Sequence, residues 1–241
     1  MIRKKIFALV LVATLALAGC TSADATSETT TEQESTTQRR TKKEITTKQP
    51  KTTQTTEETT TEETLIDVAA EKVFSYEGTG DDVISDIYIN ELVYVHYYYD
   101  GDGYTSVKAH HDDTYELLVS DTDGYVGDTL LLPFDSNVTF EIVASGDWKL
   151  EIYEIGASST DTFTGISDYV TPIFICSSST YKIEYFGEGY FSVKGYYDNL
   201  DYDLLVSETD KYSGKVFFNQ KNNYAFFEIK ADDVWTISPV K

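Results

Sequence analysis

The sequence predicts an all-β protein: two tandem antiparallel β-sandwich domains, of jelly-roll or immunoglobulin-like type, behind a disordered tether. Three observations lead there. Residues 65–241 are rich in Tyr, Phe, Val and Ile, the residue types that suit a pleated, half-buried surface. Short runs of these residues alternate with Gly, Asp, Asn and Ser clusters every ten residues or so, the spacing of a sandwich or barrel. The region also repeats itself: Thr114–Leu150 aligns without a gap on Asp201–Ile237, 87 positions on, with 14 of 37 residues identical. An internal repeat constrains architecture more than any local motif does.

The repeat divides the chain. Tyr115–Gly127 (YELLVSDTDGYVG) matches Tyr202–Gly214 (YDLLVSETDKYSG), Phe140-Glu141-Ile142 matches Phe227-Glu228-Ile229, and Trp148 matches Trp235. Upstream, Gly78, Asp81 and Val83 fall on Gly165, Asp168 and Val170, while Tyr104 falls on Tyr190. We therefore expect one copy in 65–157 and another in 158–241, each long enough for a small core. In the first copy the expected strands are Ile84–Ile89, Val93–Tyr99, Tyr104–Ala109, Tyr115–Ser120, Thr129–Leu132, Val138–Ala144 and Trp148–Tyr153. Asp100-Gly101-Asp102-Gly103 reads as a hairpin loop, and Leu65–Val73 as room for one helical turn.

The first 64 residues have a different character. Arg3, Lys4 and Lys5 precede a mostly apolar stretch from Ile6 to Ala18, too short for a membrane-spanning helix and of the right length for a secretory signal. The stretch ends in Leu17-Ala18-Gly19-Cys20, which resembles a bacterial lipobox. The resemblance implies that 1–19 are removed, that Cys20 is lipidated, and that the protein sits on the extracytoplasmic face of a cell membrane. Residues 20–64 hold eighteen threonines and almost no large apolar side chain, so they lack the surface needed to offset ordering entropy. As a flexible coil they reach about 35–40 Å.

Charge narrows the partners. Residues 65–241 carry 32 acidic and 10 basic side chains, so the net charge of −22 resides there. Such a surface disfavours nucleic acid and anionic membrane as direct partners and is compatible with cations or basic proteins; an extracellular protein or a glycan is the partner expected. The module, opened by Gly and Asp, centred on LLV-Tyr-Gly and closed by an apolar strand and a Trp strand, resembles a β-sandwich module of bacterial surface lipoproteins. In layout it is similar to pre-peptidase C-terminal modules. The likeness implies a fold and no activity.

Residues shared by both copies are explained by the common fold; those special to one are better candidates for function. Trp148 and Trp235 therefore read as packing residues, and Asp123 and Asp210 as turn residues. Extending the 87-residue spacing upstream sets His96 on Ile183 and places Tyr94, His96 and Tyr98 inward. Tyr97 and Tyr99 then face solvent and, with Tyr104, form a candidate strip for stacking a ligand. His110-His111-Asp112-Asp113 is the candidate metal segment, with His110 and Asp112 as possible Zn²⁺ or Ca²⁺ ligands, although neighbouring strand residues point to opposite faces. Asp100-Gly-Asp102-Gly fails as an EF-hand start, since the residue eleven positions after Asp100 is His111 and not Glu. No Gly-x-Ser-x-Gly elbow is present, and no cofactor is called for. The expected function is non-catalytic display of adhesion or protein-interaction modules. Carbohydrate binding is the alternative, with an enzyme or solute-binding lipoprotein behind it. Cys176, in an apolar run, reads as a small buried side chain.

Overall fold

The computed structural model describes residues 65–134 and 136–241. Cys20, the lipobox and the Thr-rich segment lie outside the described residues.

The first copy contains β1 (Glu71–Thr79), β2 (Asp82–Ile89), β3 (Val93–Asp100), β4 (Tyr104–His111), β5 (Thr114–Thr122), β6 (Tyr125–Leu131), β7 (Ser136–Val143) and β8 (Asp147–Glu154). The second contains β9 (Phe163–Gly165), β10 (Tyr169–Val170), β11 (Phe174–Ile175), β12 (Thr180–Tyr185), β13 (Tyr190–Tyr196), β14 (Tyr202–Thr209), β15 (Tyr212–Phe217), β16 (Tyr224–Lys230) and β17 (Trp235–Pro239). Every sheet is antiparallel, and among the described residues there is no helix.

In the first copy a front sheet of order β1-β8-β3-β6 faces a back sheet of order β2-β7-β4-β5. In the second, the corresponding orders are β9-β17-β12-β15 and β10-β16-β13-β14, with β11 also paired to β16. Both are the strand order of a jelly roll, in which consecutive strands mostly alternate between the two sheets. Two apolar clusters result, one of residues between Ile87 and Ile152 and one of residues between Phe174 and Ile237.

The shared residues hold equivalent places. Trp148 and Trp235 are buried, and their indole N–H groups donate to the carbonyls of Gly80 (2.8 Å) and Ser167 (2.9 Å). A methyl group on Gly78 or Gly165 would strike the neighbouring indole ring, which explains both glycines. Asp81 and Asp168 accept the backbone N–H of Ala144 (3.0 Å) and Ala231 (2.8 Å). Asp123 and Asp210 turn the chain with φ of 62° and 70°, left-handed values that Asp tolerates better than most residues. Cys176 is buried, and burial pushes its thiol up to about 11, as suits an inert core side chain.

Two local expectations are corrected. Asp100–Gly103 is not a hairpin: β3 lies in the front sheet and β4 in the back sheet, so the loop crosses between layers. The hairpin lies one connection later, where His111 pairs with Thr114 around Asp112-Asp113, and Asp112 takes φ 48°. Leu65–Val73 makes no helical turn; Val68 bridges to Ala157 and β1 begins at Glu71.

Candidate functional site

The sequence of β3, VYVHYYY, is apolar or aromatic on both faces, so alternation alone cannot choose which face is buried. Tertiary packing makes the choice. Val93, Val95, Tyr97 and Tyr99 point into the core; Tyr94, His96 and Tyr98 point outward. The expectation of an outward Tyr97 and Tyr99 is thus reversed: both are fully buried, and their hydroxyls bond Thr105 Oγ1 (2.8 Å) and Ser145 Oγ (2.7 Å). The physical cause is a shift in repeat spacing. Tyr99 pairs with Trp148 as Tyr185 pairs with Trp235, which sets this strand at a spacing of 86. Between the equivalent pairs His110–Tyr115 and Tyr196–Tyr202 the second copy has one residue more, and it restores 87 downstream. A one-residue slip moves every side chain to the opposite face. The true counterpart of His96 is Lys182, not Ile183.

The other expected residues do not converge. Tyr104 is exposed, as expected, but it lies at the start of the back-sheet strand β4, apart from buried Tyr97 and Tyr99. His110 Nε2 bonds Glu141 Oε2 at 2.9 Å, whereas Asp112 is an exposed turn residue. His111 is stacked on Phe134 with ring centroids 3.7 Å apart. Among the described residues no group of three or more His, Cys, Asp or Glu side chains is placed to hold a metal ion.

The structure instead brings together a set of residues that sequence reasoning assigned elsewhere. Strand register places three rows across the outer face of the front sheet. Tyr153 and Tyr94 are neighbours in one row, Glu151, His96 and Asp128 in the next, and Lys149 and Tyr98 in the third. Tyr94 and Tyr153 stack at 5.1 Å with ring planes 8° apart. His96 Nδ1 lies 2.6 Å from Asp128 Oδ1. That hydrogen bond, opposed by burial and helped by the field of Asp128 and Glu151, raises the imidazole above its ordinary range. Glu151 receives Lys72 and Lys149 at 2.9 Å each and is held down at about 2 by them.

The second copy closes one side of this face. Ser167, Asp168 and Tyr169 stand beside β6, and the N–H of Asp128 donates to the Asp168 carbonyl at 3.0 Å. The result is an open cleft of about 450 Å³ lined by Tyr94, His96, Asp128, Glu151, Tyr153 and Tyr169, among others. Asp168 Oδ2 takes the Tyr125 hydroxyl at 2.8 Å and Lys230 Nζ at 3.0 Å. Ser167 lines the cleft together with His96 and Asp128. Sequence reasoning had one signal for the cleft, the Tyr-x-His-x-Tyr alternation of β3, and assigned it to the core.

The chain matches no protein-family model and no curated protein.

Proposed function

We propose that this chain is a lipid-anchored, extracytoplasmic display protein whose folded part is a non-catalytic interaction module, with the cleft over β3 and β8 as the seat for a segment of an extracellular protein partner. The observation that carries the reading is the contrast between twin strands. The first copy sets Tyr94, His96 and Tyr98 on its outer front face, and the second sets Thr180, Lys182 and Glu184 there. The shared fold does not require the aromatic set, and half-exposed tyrosines with satisfied polar neighbours are what interaction surfaces use. Glu151, held at about 2 by two lysines, makes a poor general acid or base, which supports a binding role over a catalytic one. The partner expected is basic or neutral, because the described region carries the whole net negative charge.

A glycan ligand is the second reading. It is favoured by the parallel Tyr94–Tyr153 pair beside carboxylate acceptors. The lipid anchor on Cys20 rests on the lipobox. The test uses the full chain on its native membrane, with and without the paired change Tyr94→Ala and His96→Ala. Capture of a protein partner, lost in the variant, supports the first reading; glycan-array binding lost in the variant supports the second. Capture that is indifferent to the variant removes the cleft from the account. For the anchor, Cys20→Ala is expected to release the protein from membranes or leave its precursor uncleaved; unchanged processing and retention would overturn it.

A further inference from the structure

The contact between the two copies is heterologous: it uses one surface of the first copy and a different surface of the second. The first contributes the edge strand β6. The second contributes the edge β10, with Asp168 before it, and the end of β16. Three pairs mark the junction. Tyr125 donates to Asp168, and Lys230 donates to Thr129 Oγ1 at 2.8 Å. Asp128 and Tyr169 line the same cleft, where the N–H of Asp128 donates to the carbonyl of Asp168, next to Tyr169, at 3.0 Å. Gly127 is needed there, since a methyl group on it would lie 2.8 Å from Asp168 Cβ.

A heterologous contact within a repeat leaves both of its halves unused, one at each end. The counterpart of the receiving surface is uncovered in the first copy: Val83 is 60% exposed, whereas its twin Val170 is 3% exposed. The counterpart of the inserting surface is uncovered in the second copy. Lys215 is exposed where Asp128 is buried, and Phe217 at the end of the same edge is 69% exposed where Leu130 is 6% exposed.

The unused halves are also chemically matched to each other. Carrying each junction pair to its twins turns Tyr125–Asp168 into Tyr212–Asp81, again a hydroxyl and a carboxylate. Thr129–Lys230 becomes Val216–Val143, two apolar side chains. Asp128–Tyr169 becomes Lys215–Asp82, opposite charges. None of the three becomes a like-charge pair or strands a charge against an apolar group. We propose that the open β15 edge of one chain docks on the β2 edge and the adjoining end of β7 of a second copy, repeating the internal junction between molecules so that tethered chains join head to tail.

The experiment is a charge exchange on the full chain in mild detergent, read by sedimentation over a concentration series to about 1 mM, where an association of about −4 kcal/mol becomes visible. Asp82→Lys and Lys215→Glu each lie at exposed positions and leave both cores untouched. Each alone is expected to weaken association by about tenfold or more, because it sets like charges face to face. The doubly exchanged chain, and a mixture of the two single variants, are expected to recover it. On membranes, a chain carrying Asp82→Cys and Lys215→Cys should form an oxidation-dependent ladder, while either change alone should give at most a dimer. A chain that stays monomeric and gives no ladder overturns the proposal, and so does association that neither single exchange weakens or that the double exchange fails to restore.

Discussion

Strands β3 and β12 hold the same place in two jelly rolls of the same topology, yet they present different faces to solvent. Inward, Val95, Tyr97 and Tyr99 match Tyr181, Ile183 and Tyr185, all buried. Outward, the first copy has Tyr94, His96 and Tyr98 where the second has Thr180, Lys182 and Glu184. The comparison teaches that identity of fold resides in the inward set. The residues free to differ lie on the outer face, and in the first copy they meet the segment Ser167–Tyr169 to form a cleft. A second contrast concerns coverage: the same kind of surface is hidden at the junction and open at the ends.

The face assignment is the sharpest place to break the comparison. Tyr97→Ala removes a fully buried ring and should cost about 3–5 kcal/mol in urea unfolding. Tyr98→Ala, one residue along on the solvent face, should stay within about 0.5 kcal/mol. Comparable losses from the two would put the strand in the other register and undo the cleft.

A smaller effect tests coverage at the junction. Tyr125→Phe deletes a hydroxyl bonded to Asp168, whose carboxylate keeps Lys230 and the Ala231 N–H. A loss of about 1 kcal/mol is expected. The same change in its twin Tyr212, at the open end, should cost less than half as much when thermal unfolding of the two variants is compared. Equal losses would mean that the Asp168 bond contributes little to holding the copies together.

The smallest effect is in pH. The folded-state value of His96 is raised above its unfolded value of about 6.5, chiefly by the bond to Asp128. Its contribution to stability is therefore complete below about 6.5 and fades as pH climbs through the raised folded value. Melting temperatures of the natural chain and of Asp128→Asn should differ most at about pH 5–6 and converge toward pH 9. A gap that stays constant over that range would remove His96 protonation as its cause.

Several features were legible in the residues themselves. The repeat, its turns and its all-β character follow from composition, Gly and Asp placement and spacing, because these act through local backbone preference and through burial patterns that recur along the chain. Trp148 and Trp235, each above its glycine, and the left-handed Asp123 and Asp210 could be assigned to the fold because both copies carry them. Tertiary structure alone decided which face of VYVHYYY is buried, since both faces offer comparable apolar surface and only the seat opposite Trp148 distinguishes them. It alone showed that Asp100–Gly103 crosses between sheets, because loop composition does not encode which sheet the next strand joins. The cleft likewise joins residues from β3, β6 and β8 with a loop of the second copy, far apart in the chain, and only packing of one copy against the other sets them side by side.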